Sequence, residues 1–172
     1  NKNEPRSLVK FVVNNDTLTY SVIRITDKKP DYWVFKDVAA LKGKTLKLVL
    51  PKEVIGLDQI YQSDTFAGED SLYKEVNRPQ FHFSTRRGWI NDPNGLVYNN
   101  GEYHLFYQHN PFGNVWGHMT WAHAVSKNLI EWKHLPIAIA EEKDTMIFSG
   151  TCVVDKNNTS GFGTNGKIPM VA

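Results

Sequence analysis

The sequence predicts an all-β protein, and three observations carry that prediction. Apolar and polar residues alternate in short runs, which is the period of a half-buried strand. Turn signals rich in Asn, Gly and Lys separate the runs at close intervals. Aromatic residues are plentiful, with 9 Phe, 7 Tyr and 5 Trp, and such rings fill β cores or stack on apolar faces of ligands. At 172 residues, 41% hydrophobic and 22% charged, the chain has the make-up of a globular protein able to bury a core.

The first part reads as a small antiparallel β unit, sandwich-like in character. Residues 7–15 and 17–25 alternate, with Asn14-Asn15-Asp16 as the turn of a hairpin. Residues 32–38 and 45–50 read as two further strands divided by Lys42-Gly43-Lys44, and residues 57–64 as one more. The small, polar Ala67-Gly68-Glu69-Asp70 then precedes a change in composition. The expected domains are 1–76 and 77–172.

The second part has a more regular rhythm. Residues 95–98, 103–109, 119–125 and 132–135 read as four short strands. Asn99-Asn100-Gly101, an aromatic loop over 111–117 and Ser126-Lys127-Asn128 connect them in order. Four linked antiparallel strands in about forty residues match one β-propeller blade, and equally a generic β-meander. Residues 148–155 look like the start of a second such unit, followed by a Gly/Asn-rich loop over 157–166 and an apolar start at Ile168. A propeller needs at least four blades of roughly forty residues, so these residues are expected to be part of a longer one.

Composition excludes several function classes. The net charge is +2 without a long basic run, and Arg86-Arg87 is too short for a nucleic-acid patch. No apolar stretch reaches membrane-spanning length, and Asn1-Lys2-Asn3-Glu4-Pro5 is not a signal peptide. The single cysteine, Cys152, allows neither an internal disulfide nor a thiolate zinc cluster, and beside Val153 and Val154 it reads as a small buried residue. His104 and His109 are five apart, as are His118 and His123. That spacing puts the members of each pair on opposite faces of a strand, so neither a metal nor a cofactor is expected. Asn15-Asp16-Thr17 and Asn157-Asn158-Thr159-Ser160 match glycosylation sequons, a weak signal.

The chemistry concentrates in Trp89-Ile90-Asn91-Asp92-Pro93-Asn94-Gly95. Asp-Pro-Asn-Gly is strong turn chemistry, since Pro93 fixes φ and Gly95 accepts angles that other residues resist. A tight turn there would give the Asp92 carboxylate a direction as well as a charge, or would simply let it bond its own backbone. Groups suited to sugars recur nearby at strand ends and in loops: the amides of Asn91 and Gln108, the Trp116 ring, and Ser149 after Phe148. Amides read paired hydroxyls because they both donate and accept. Each of these residues also has an ordinary structural reading, as strand end, loop anchor or core.

Taken together, Trp89-Ile90-Asn91-Asp92-Pro93-Asn94-Gly95, Tyr107-Gln108-His109-Asn110-Pro111, Trp116-Gly117 and Phe148-Ser149-Gly150 resemble glycoside hydrolase family 32, the family of invertases, exo-inulinases and levanases. Asp31-Tyr32-Trp33-Val34-Phe35 and Leu72-Tyr73-Lys74-Glu75 resemble the β-rich extension that precedes the catalytic domain in some Bacteroides-type levanases. The resemblance implies a five-bladed β-propeller followed by a β-sandwich, of which this chain would hold the first blade and part of the second. It implies Asp92 as the nucleophile on a terminal β-fructofuranose, in a retaining scheme whose two carboxyl groups lie about 5–5.5 Å apart. Asn91, Gln108, Trp116, Phe148 and Ser149 would line the fructose subsite, supported by Trp89.

Two motifs of that family are missing here. No Arg-Asp-Pro tripeptide occurs, and Cys152 follows Thr151 rather than a glutamate. The stabilising aspartate and the acid/base glutamate are therefore expected in later blades. General acid catalysis alone is worth about 10²- to 10⁴-fold, so these residues by themselves are expected to be inactive. The implied partner is a fructan or sucrose, met in the periplasm, at the cell surface or outside the cell. A fructosyltransferase, a non-catalytic fructan-binding protein and a purely structural β domain remain open.

Overall fold

The computed structural model describes residues 3–142 and 145–172. Asn1 and Lys2 of the N-terminal pentapeptide, and Lys143 and Asp144 before the Thr145 to Gly150 stretch, lie outside the described residues. The chain divides into two compact units, Asn1–Val76 and Asn77–Ala172.

In the first unit, β1 (Ser7–Val13) and β2 (Asp16–Ile23) form an antiparallel hairpin. Asn14 and Asn15 close it at φ 51° and 71°, the left-handed pair that a two-residue hairpin turn needs and that Asn tolerates. β3 (Lys47–Val49) adds to the other side of β1, giving the order β2-β1-β3. Val9 and Val13 are buried beneath this sheet.

The strands expected over 32–38 and 57–64 are absent. Residues 32–38 run as irregular chain, and their rings serve one another: Trp33 meets Tyr61 edge-on at 5.5 Å, and Phe35 stacks on Phe66 at 4.4 Å. Aromatic alternation therefore marks ring pairing here, not one face of a sheet. Gly56, at φ 78°, turns the backbone left-handed against the Thr26 carbonyl and starts a 3-10 turn, Leu57–Gln59, where a strand was expected.

The second unit is built on four antiparallel strands in the order β4-β5-β6-β7. They are β4 (Trp89–Asn99), β5 (Glu102–Asn110), β6 (Thr120–Ser126) and β7 (Lys133–Ile139). Each pairs with the next in sequence, the up-and-down meander from which propellers are made. Period-2 alternation gives the sheet two apolar faces. Phe106, Trp121 and Cys152 form one, with Ile147 and Met170 packed against them; Tyr107, Ala122 and Ala124 form the other, with Phe83, Ile90 and Trp132. Because both faces are covered, every residue of β5 from Phe106 to Asn110 is buried.

β4 departs from expectation in an informative way. Asp-Pro-Asn-Gly does not turn the chain; it runs inside β4, which is interrupted twice. The register jumps from Ile90↔His109 to Pro93↔Tyr107, and again from Asn94↔Phe106 to Leu96↔Leu105. The same residue chemistry that suits a turn suits these bulges. Gly95 takes φ 49°, the left-handed position of a glycine bulge. β4 lies at the edge of the sheet, where the missing N–H of Pro93 is tolerated. Beyond β7, β8 (Val153–Val154) and β9 (Met170–Val171) form a short antiparallel pair.

Candidate active site

The first bulge of β4 makes the site. Between the pairs Ile90↔His109 and Pro93↔Tyr107, two residues, Asn91 and Asp92, stand opposite the single residue Gln108. An extra residue in one strand breaks the ladder and re-aims the side chains around it. Asn91 and Asp92 are exposed as a result, while Asn94, two residues on, is completely buried. The carboxylate is thus presented by a strand with covalently and sterically restricted neighbours, Pro93 and Gly95.

Ser149 reaches this carboxylate from 57 residues away, and its Oγ donates to Asp92 Oδ2 at 2.7 Å. The segment that carries Ser149 belongs to no strand, so side chains and single backbone bonds fix its path. Ile147 N donates to Met119 O at 2.9 Å. Gln108 Nε2 donates to Ile147 O, also at 2.9 Å, and Trp121 Nε1 donates to Phe148 O at the same distance. Further along, Cys152 lies so close to Gly95 that a Cβ at that glycine would fall 2.5 Å from the cysteine Cβ and backbone nitrogen. Burial pushes the Cys152 thiol pKa up, so the residue acts as packing rather than as a nucleophile.

The remaining expected residues are placed in different ways. Gln108 is buried; its Nε2 is committed to Ile147 O, and its Oε1 has no protein partner. Phe148 and Trp116 hold their rings out, at 62% and 55% exposure. Trp116 sits in the loop between β5 and β6. Asn110 shapes that loop, its Nδ2 donating to Val115 O at 2.8 Å and its Oδ1 accepting from Phe112 N at 2.9 Å. Trp89 ties the loop to β4 through its N–H to Gly113 O at 2.9 Å. The Trp89 carbonyl accepts from His109 Nδ1 at 3.0 Å, which fixes the imidazole tautomer. Burial lowers the His109 pKa, and the ring therefore serves as a neutral strut.

Sequence reasoning missed one contact of this site and one on the adjoining β5–β6 loop. Trp121 looked like one more core residue of a strand; the only hint was that a buried indole N–H must find a partner. His118, weighed only as a metal ligand, instead bonds the buried Glu141 carboxylate through Nδ1 at 2.5 Å, two residues beyond Trp116. The histidine pairs considered from spacing are not the ones that form. His104 Nδ1 and His123 Nε2 meet at 3.1 Å across β5 and β6. The His123 pKa is lowered to about 4, first by burial and then by His104. Among the described residues, no group of three or more His, Cys, Asp or Glu could hold a metal ion, and no helix is long and apolar enough to cross a membrane.

Residues 82–169, which contain β4 to β7 and the Asp92–Ser149 contact, match the family model described as the glycosyl hydrolases family 32 N-terminal domain. The chain belongs to glycosyl hydrolase family 32. Its relatives include a levanase of Bacillus subtilis, 57% identical over 106 residues, covering 62% of this chain and 16% of that protein. An extracellular exo-inulinase of Aspergillus awamori is 50% identical over 105 residues, covering 58% of this chain and 20% of the relative. An invertase of Schizosaccharomyces pombe is 44% identical over 102 residues, covering 56% and 18%. The crystal structure of the Aspergillus awamori exo-inulinase superposes with a TM-score of 0.55 at 50% identity, over 57% of this chain and 20% of that one. A fructofuranosidase from Schwanniomyces occidentalis, complexed with fructose, gives 0.50 at 48% identity over 53% and 19%. This chain thus spans a fifth or less of these relatives' lengths. As in a family 32 chain, the four-stranded meander is a blade of the family's propeller.

Proposed function

We propose that the protein is a retaining β-fructosidase that releases terminal β-D-fructofuranosyl groups from fructans or sucrose, with Asp92 as the nucleophile. The Asp92–Ser149 hydrogen bond carries this reading. The hydroxyl donates to Oδ2, which fixes the orientation of the carboxylate and leaves Oδ1 to attack. In the first step an Asp92 oxygen bonds to the anomeric carbon while the glycosidic C–O bond breaks. A second carboxyl gives its proton to the leaving oxygen, and water later releases fructose by the reverse sequence. No residue of this chain is assigned that second role, so residues 1–172 alone are expected to show no turnover.

Asn91 and Ser149 are exposed at the bulge, Phe148 is exposed next to Ser149 and Trp116 is exposed on the β5–β6 loop; on this reading they serve a sugar ring, with amide and hydroxyl groups for its hydroxyls and aromatic faces for its C–H edges. Gln108 contributes from beneath them, and Oε1 is the atom it has left for a sugar hydroxyl. The named relatives act as levanase, exo-inulinase and invertase, which supports the substrate class but not one linkage. A polymeric fructan cannot enter a cell unaided, and relatives are described as extracellular. We place the activity outside the cytoplasm on those grounds. The first unit is proposed to be a β-rich extension of the catalytic domain.

The test is Asp92→Asn in the full-length protein. Hydrolysis of sucrose, inulin and levan should fall by at least about 10⁴-fold while the fold is retained. Turnover near the parent rate would remove Asp92 from the nucleophile role. Binding of fructan by a full-length parent protein that cleaves none of these substrates would point to a non-catalytic binder.

A further inference from the structure

Ser149 meets Asp92 at the end of a segment without ladder partners of its own, so something else must set its position to within a hydrogen bond's tolerance. Two consecutive carbonyls immediately before Ser149 are held by side chains, Ile147 O by Gln108 and Phe148 O by Trp121, both at 2.9 Å. Gln108 and Trp121 are direct register partners across β5 and β6, so their side chains leave the sheet on one face, side by side. Trp121 is 3% exposed and belongs to the core cluster with Phe106 and Cys152. Its ring is packed into that core, and its N–H is committed to the Phe148 carbonyl. Gly150, just past Ser149, lies against the same ring: a Cβ there would come within 3.0 Å of it. The indole thus bounds the serine on both sides, by a hydrogen bond before it and by contact after it.

We propose that Trp121 is a positioning residue for the Asp92–Ser149 pair, and that with Gln108 it forms a two-point clamp on the Ile147 and Phe148 carbonyls that lead into Ser149. A buried indole that merely needed a partner could bond any carbonyl. The pairing of cross-strand neighbours with successive carbonyls, ending at the residue that bonds the carboxylate, is what assigns the role. The clamp ties the aim of Asp92 to the core of the blade rather than to a surface loop. Its functional meaning rests on Asp92 being the nucleophile.

The experiment is a double-mutant cycle in the full-length protein with sucrose as the probe. Trp121→Phe keeps an aromatic ring and removes the N–H. It should lower kcat by about 10- to 100-fold, the scale of a misplaced reacting group. In a Ser149→Ala background the same substitution should change kcat by less than about threefold, because the group it positions is already gone. Equal losses in both backgrounds would overturn the clamp and leave Trp121 as packing alone. Should Trp121→Phe not fold, Gly150→Ala perturbs the same clamp from the other side of the serine and should show the same dependence on Ser149; parent-like rates for it would count against the clamp. Asp92→Asn run alongside separates the two claims. Its retained turnover would sink the nucleophile reading, whereas an inactive Asp92→Asn beside a fully active Trp121→Phe would sink only the clamp.

Discussion

At the scale of single residues, the site depends on two backbone choices and one hydroxyl. Gly95 combines φ 49° with close approach to the Cys152 backbone. Gly95→Ala adds about 1–2 kcal/mol of left-handed strain to a steric conflict, and should destabilise the full-length protein by at least about 2 kcal/mol in urea unfolding. Ser149→Ala removes the hydrogen bond that sets the aim of Asp92; kcat on sucrose should fall about tenfold or more, the scale of a misplaced reacting group. The sequence singled out Asp92 and Ser149 because their residue types and order form a recognisable pattern, and the structure brings these two into hydrogen-bond contact. It misled on local geometry. Pro93 and Gly95 satisfy a turn and a bulge equally well, and only the presence of β5 alongside, with two residues facing Gln108, separates the two. Trp121 was illegible because its role depends on a carbonyl 27 residues away.

At the scale of elements, β5 to β7 were readable, and so were β1 to β3 of the first unit, whereas the strands expected over 32–38 and 57–64 are not formed. Each strand of the blade finds its neighbour within a few residues of chain, so local alternation and turn signals suffice. Residues 32–38 are just as rich in aromatic and β-branched residues, but the Trp33 and Phe35 rings pair with Tyr61 and Phe66, and no adjacent strand forms beside them. Two histidines on β6 and β7 make the blade sensitive to acid. His123 and His134 both have pKa values lowered to about 4, chiefly by burial; His104 adds to the first, and Arg86, His109 and Arg78 to the second. A folded pKa below the unfolded value of about 6.5 means that the unfolded chain takes up protons the folded one refuses. Stability from these groups is complete above about pH 6.5 and falls as the pH drops toward 4. Urea midpoints measured across that window should fall with pH, and replacing both histidines by glutamine should flatten the slope. An unchanged slope in the double variant would place the acid sensitivity elsewhere.

At the scale of the whole molecule, the division into Asn1–Val76 and Asn77–Ala172 should be visible to a protease. Val76 is 99% exposed and Phe81 91%, so brief chymotrypsin digestion should cut first after Phe81, leaving the blade resistant; mass spectrometry of the first fragments checks this. The blade then carries the family membership, the bulge that exposes Asp92 and the clamp that brings Ser149 to it. The central claim is that this carboxylate forms the covalent fructosyl intermediate. Rapid quenching of the full-length protein during turnover of sucrose, followed by peptide mass mapping, tests it most directly. A single anhydrofructosyl group on the peptide containing Asp92 is the expected result. The same group on a different carboxylate, in protein that is turning over, would contradict the account.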